Sequence, residues 1–60
     1  MRKEIHFFLI KYSTQEGTYL EVCSEEGMSI KDAVRQLKWE MGANPDVKYT
    51  ILHTWSYYWD

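Results

Sequence analysis

The chain has one cysteine, Cys23, so no disulfide can brace it from within, and a lone thiol fits a reducing compartment. Long apolar runs are missing as well. Phe7 to Ile10 falls far short of a signal-peptide core or a membrane span, and the start, Met1-Arg2-Lys3-Glu4, is charged. A cytoplasmic protein with no membrane association is therefore expected. Clustered basic charge is absent too: the seven Lys and Arg are scattered as Arg2, Lys3, Lys11, Lys31, Arg35, Lys38 and Lys48 against nine Asp and Glu, for a net charge of −2. Binding along a phosphate backbone draws on basic residues gathered together. The sequence holds no glycine-rich phosphate loop, no CxxC, no HExxH, no repeat and no low-complexity stretch.

Aromatics, by contrast, are plentiful: they make up 17% of the chain, with Trp39, Trp55 and Trp59 among them. The sixty residues make one small domain, residues 1–60. A chain of this length buries only about 60% of the surface its unfolded form exposes, so the core is thin. Aromatic side chains supply burial to such a core and also anchor interfaces. There are more here than one thin core obviously uses.

Residues 4–12, Glu-Ile-His-Phe-Phe-Leu-Ile-Lys-Tyr, are rich in strand formers and apolar at both odd and even positions, the pattern of a central strand. Ser13 to Gly17 is turn chemistry, and Thr18 to Ser24 alternates Leu20 and Val22 with Tyr19, Glu21 and Cys23, which completes a hairpin. After Ser24-Glu25-Glu26-Gly27, Ser29 with Asp32 three residues on resembles a capping box. Ile30, Ala33, Val34, Leu37 and Met41 then fall within a stripe about 100° wide, so a helix is predicted over Ile30 to Met41 with Gly42 as the residue after its cap. Ala43-Asn44-Pro45-Asp46 is a stop and turn. Val47 to Tyr58 reads as a last strand with Val47, Tyr49, Ile51, Trp55 and Tyr57 on one face and a bend or fray near Ser56. The predicted fold is α+β: a three-stranded antiparallel sheet of order 2-1-3, in ββαβ succession, with one helix packed on one face. That order puts the doubly apolar strand in the middle, away from an edge.

One helix covers one side of such a sheet. Polar interruptions are fewest in the set Ile5, Phe7, Leu9, Leu20, Val22, Val47, Tyr49, Ile51 and Trp55, which is accordingly expected beneath the helix. His6, Phe8, Ile10, Tyr12, Tyr19, Glu21, Cys23, Lys48, Thr50, Leu52, Thr54 and Tyr58 then face outward. Phe8, Ile10 and Leu52 would lie bare unless the C-terminal aromatics fold over them, and a contiguous apolar patch on a monomer marks an interaction site. Trp39 lies opposite the helix's apolar stripe, beside Arg35, Asp32 and Gln36, which is the composition of an interface hot spot. The alternative is packing on the C-terminal tail or on the Arg35 stem. The candidate partner-binding residues are thus Phe8, Ile10, Tyr12, Tyr19, Arg35, Trp39, Leu52 and Tyr58.

For catalysis the chain offers His6, His53, Cys23, hydroxyls and carboxylates, none in a recognisable constellation. No catalytic residue, cofactor or metal is predicted, since His6 and His53, even if close across neighbouring strands, do not complete a structural zinc site. Cys23 is expected to be a packed, unreactive strand residue. Glu21, Glu25, Glu26 and Asp32 form a modest acidic zone, suited structurally to a helix N-terminus. The leading functional expectation is a small non-catalytic module that binds a protein partner, a homodimer included. The alternatives are a single-stranded nucleic-acid binder that stacks bases on Phe8, Tyr12, Tyr19 and Tyr58, or a small acidic inhibitor of a nucleic-acid-binding protein.

Overall fold

A computed structural model describes residues 2–60. Its elements run β1 (Lys3–Thr14), β2 (Gly17–Glu26), α1 (Ile30–Gly42) and β3 (Lys48–Trp59). The strands form one sheet of order β2-β1-β3, antiparallel at both ladders, as the patterning predicts. β2 and β3 therefore run parallel to each other, and α1 is the crossover that carries the chain past β1.

Two glycines make the turns on either side of β2. Thr14 pairs with Gly17, leaving Gln15 and Glu16 as the hairpin loop, and the Glu16 N–H donates to Thr14 Oγ1 at 3.1 Å. Gly17 takes a φ of 146° and Gly27 a φ of 79°, values that side-chain-bearing residues rarely adopt. The Gly27 N–H donates to the Glu4 carbonyl at 3.0 Å, so the β1–β2 ladder continues up to the point where the chain leaves for the helix.

Ser29 caps α1, its Oγ accepting from the Asp32 N–H at 3.3 Å. Ala33 and Leu37 are buried, Val34 and Met41 half-buried, and Ile30, at the start of the stripe, is exposed. Gly42 is still helical, and the cap is Ala43 in a right-handed conformation, so the left-handed glycine stop expected at Gly42 does not form.

Two expectations about the faces are overturned. The helix covers His6, Phe8 and Ile10, all fully buried, and leaves Ile5, Phe7 and Leu9 on the open side. The physical reason is that His6, the polar interruption that argued for the outward side, has all its hydrogen bonds met beneath the helix. The second correction concerns β3. Leu9 pairs with His53 but Ile10 pairs with Ile51, so Leu52 is an extra residue in a β-bulge. A bulge shifts the alternation by one. Tyr49 and Ile51 consequently point to the helix, while His53, Trp55, Tyr57 and Trp59 point to the open face, instead of sharing one side. The irregularity falls at Leu52, and β3 continues unbroken past Ser56 to Trp59.

The molecule is elongated, 44 × 18 × 12 Å, with a radius of gyration of 12.7 Å. A globular chain of this length has a radius near 10 Å. The difference follows from the element lengths, since a 12-residue strand extends about 40 Å and a 13-residue helix about 20 Å. The helix thus covers half the length of one face, and none of the described residues forms a layer over the other. Among the described residues no helix is long and apolar enough to cross a membrane.

Candidate functional site on the open sheet face

Cross-strand partners share a face, so the registers define the open side. Its central row, on β1, is Lys3, Ile5, Phe7, Leu9 and Lys11. β2 adds Leu20 opposite Lys11, Val22 opposite Leu9, Ser24 opposite Phe7 and Glu26 opposite Ile5. From β3 come Trp59 opposite Lys3, Tyr57 opposite Ile5, Trp55 opposite Phe7 and His53 opposite Leu9, with Thr50 and Lys48 beyond the bulge. The β2 half is aliphatic and the β3 half aromatic.

The aromatic half is ordered by its own contacts. Phe7 and Trp55 stack with centroids 5.4 Å apart and planes 11° from parallel. His53 stacks on Trp55 at 5.6 Å, and Tyr57 meets Phe7 edge-on at 5.7 Å. Ile5, Phe7, Leu9 and Trp55 are half-buried by these neighbours. Their outer ring remains open: Leu20 is 66% exposed, Val22 54%, Tyr57 59% and Trp59 40%. The helix-side row of β2 is Tyr19, Glu21, Cys23 and Glu25. On β2 the more apolar row is thus the one without the helix.

On the helix side, His6 is fully buried and ties three segments together. Its Nε2 lies 2.9 Å from Glu4 Oε1 and 3.0 Å from the Met28 carbonyl oxygen. Both are acceptors, so Nε2 carries the proton in the neutral ring, and Nδ1 is left to accept from the Ser56 hydroxyl. Ser56, His6 and Glu4 have the connectivity of a hydroxyl, base and carboxylate relay. An imidazole with no accessible surface has no route to a leaving group, so the arrangement acts as a fastener for β1, β3 and the turn before α1. His6 and His53 do not approach each other, because Ser56 and not His53 is opposite His6 and the two imidazoles sit on opposite faces. Among the described residues no group of three metal-ligating side chains assembles.

Cys23 packs against the core. Burial, then the carboxylates of Glu21, Glu40 and Glu25, push its thiol above the ordinary value, which disfavours the nucleophilic thiolate. Glu25 is likewise raised, by burial first and then by the charge of Glu40 and a hydrogen bond to it.

The sequence-derived candidates scatter when placed on the fold. Phe8 and Ile10 are core residues under the helix and present no surface to a partner. Tyr12 and Tyr19 stack on each other at 5.4 Å on the helix side, near the hairpin end. Tyr58 is exposed at the opposite end, edge-on to His6, with the Arg2 guanidinium 4.9 Å from its ring centroid. Leu52 is the exposed bulge residue on the β3 edge. Trp39 is 72% exposed, and with Arg35 it borders a shallow groove that also includes Met28, Asp32 and Gln36. Of the eight, Trp39 lies beside Arg35 and Tyr12 beside Tyr19, at separate places on the surface. The residues that form the open face, Ile5, Phe7, Leu9, Leu20, Val22, Trp55, Tyr57 and Trp59, were placed beneath the helix or left unassigned. The grouping of Leu20 and Val22 with Ile5, Phe7 and Leu9 holds, since Val22 opposes Leu9 and Leu20 opposes Lys11; it is the side taken by the helix that differs. Comparison with known protein families, characterised proteins and solved structures finds no match to this chain.

Proposed function

We propose that the chain is a non-catalytic protein-binding module whose working surface is the open sheet face. The observation that carries this reading is the exposed aliphatic and aromatic surface on the side without the helix. Domains are built from packed layers, and a sheet presents its more apolar side to the layer that covers it. Here the side without the helix exposes Leu20, Val22, Tyr57 and Trp59, surface that a covering partner would bury. Lys3, Lys11, Lys48 and Glu26 lie toward the ends of an apolar centre, which is the core-and-rim layout of protein interfaces.

A second reading has its own support. His53, Trp55 and Phe7 form a ladder of rings, and three lysines share their face, the ingredients of a single-strand stacking platform. Two features favour protein over nucleic acid. Phe7 and Trp55 present their π faces to each other and not outward to a base. Leu20 and Val22 give the β2 half no stacking surface at all.

The test is binding to a purified partner, the chain itself included, by wild type and by Val22→Asp, alongside a salt titration with mixed single-stranded oligonucleotides. The module reading expects protein binding that Val22→Asp abolishes and little oligonucleotide affinity. Tight oligonucleotide binding that falls steeply with salt would favour the stacking platform instead.

A further inference from the structure

Resting on the reading of the open face as a docking surface, we propose that its occupant is a second copy of this chain, packed face to face with its strands antiparallel to the first. Area is the first argument. Three strands spaced about 4.8 Å apart over about 35 Å give a face of roughly 500 Å² in plan. Side-chain relief adds to that, and stable interfaces take about 800 Å² of accessible surface from each partner. In plan the face is smaller than that, and a second sheet of the same dimensions covers the whole of it. The core supplies the second argument. Among the described residues only Phe8, Ile10, Ala33 and Leu37 are buried apolar residues, and chains below about 70 residues commonly need an added source of stability, of which self-association is one.

Charge selects the geometry. A two-fold axis parallel to the strands would lay β1 on β1 with Lys3 over Lys3 and Lys11 over Lys11, like-charge contacts at both ends of the interface. An axis perpendicular to the strands at the level of Phe8 reverses the direction of the second sheet. Lys11 lies three residues to one side of Phe8, and Ile5, whose β2 partner is Glu26, lies three residues to the other. Each Lys11 therefore comes to the level of the partner's Glu26, one strand over. Phe7 comes over the level of the partner's Leu9, so that aromatic and aliphatic side chains interleave. On β3, Lys48 pairs with Ser13 and Trp59 with Lys3, so the same axis carries Lys48 over the partner's Trp59, an aromatic ring suited to a cation, with the partner's Lys3 one strand over at the solvated rim. The two helices lie on the outside of the resulting sandwich, leaving both Trp39 side chains free.

Sedimentation equilibrium at micromolar to submillimolar concentration, combined with charge reversal, tests this. Wild type is expected to be a dimer. Lys11→Glu and Glu26→Lys, each alone, are expected to raise the dissociation constant about tenfold or more by placing like charges together at two symmetry-related points. Mixed in equal amounts, they are expected to pair with each other at near wild-type affinity, because both contacts become opposite-charge pairs again. A wild type that is monomeric throughout overturns the second-copy proposal while leaving the open face to a different partner. A dimer that is lost in neither Lys11→Glu nor Val22→Asp overturns both the proposal and the reading beneath it. A dimer broken by Val22→Asp whose charge-reversal variants fail to complement each other overturns the antiparallel arrangement.

Discussion

Phe7 and Trp55 lie directly opposite each other on β1 and β3 and stack within 11° of parallel, on the face that no helix covers. Their contact fixes the aromatic half of that face before any partner arrives. Truncating one ring removes both the apolar burial and the ring pairing. Trp55→Ala is expected to lower the unfolding free energy by about 2 kcal/mol, measured by urea denaturation. A loss under about 0.5 kcal/mol, the size of an ordinary surface change, would show that the stack contributes nothing to the fold.

The two faces of β1 are separable by mutation. Phe8→Ala empties the centre of a very small core and is expected to cost about 3–5 kcal/mol, enough to leave the chain largely unfolded. Val22→Asp, on the open side and more than half exposed, is expected to leave the helical and sheet signals in circular dichroism intact. The reverse pattern, with Val22→Asp unfolding the isolated chain and Phe8→Ala leaving it folded, would return the helix to the other face.

Element order, sheet order and the helix start were legible because each rests on a local signal. Apolar residues at both parities placed β1 centrally, and Ser29 before the Ala33, Val34, Leu37 stripe marked the helix. Which face the helix covers was not legible, for the same reason that β1 was: a strand apolar on both sides carries no preference. His6 tipped the choice the wrong way, since its buried partners Glu4, Ser56 and the Met28 carbonyl come from separate parts of the chain. The bulge at Leu52 was hidden by β3 itself. Tyr49 and Ile51 before it and Trp55 and Tyr57 after it all occupy odd positions, so the alternation reads through the break without a flaw.

Trp39 projects from the outer surface of α1, with 72% of its surface accessible. Its neighbour Arg35 forms a 3.7 Å pair with Asp32, both well exposed, and such pairs contribute little. Trp39→Ala is expected to change the unfolding free energy by no more than about 0.5 kcal/mol and to leave dimerisation through the open face unchanged. A stability loss in the range of core truncations would place Trp39 against structure it does not touch here.

Glu25, facing the Glu40 carboxylate, gives stability a pH dependence of predictable sign. Glu25 is raised above the ordinary carboxylate value by burial and by Glu40, so the folded chain holds a proton that the unfolded chain has already released. Stability should therefore fall as pH rises from the unfolded carboxylate range through the raised folded value. Glu40→Gln removes the opposing charge and keeps a hydrogen-bonding partner. It should flatten this slope and make the protein more stable than wild type at neutral pH, as followed by thermal unfolding between mildly acidic and neutral conditions. Identical pH profiles for the two proteins would show that the carboxylates are not coupled.

His6 provides the sharpest test of the helix-side core, because it is a polar residue at a position that apolar residues would be expected to fill. No buried side-chain nitrogen or oxygen among the described residues lacks a partner, and His6 accounts for much of that by serving Ser56, Glu4 and the Met28 carbonyl together. Replacing it with leucine keeps an apolar bulk but removes both ring nitrogens, leaving the carbonyl and the hydroxyl with unmet hydrogen bonds. Each such group costs about 1–3 kcal/mol when water cannot reach it. His6→Leu is therefore expected to destabilise the chain by at least that amount, despite being more hydrophobic. Ser56→Ala alone should cost less, since it strands only the Nδ1 lone pair, and the double variant should cost less than the sum of the two singles, with a coupling above about 0.5 kcal/mol. Urea denaturation of the four proteins measures all three quantities. A His6→Leu variant as stable as wild type would mean that burial alone holds this site and that the three hydrogen bonds are incidental to it.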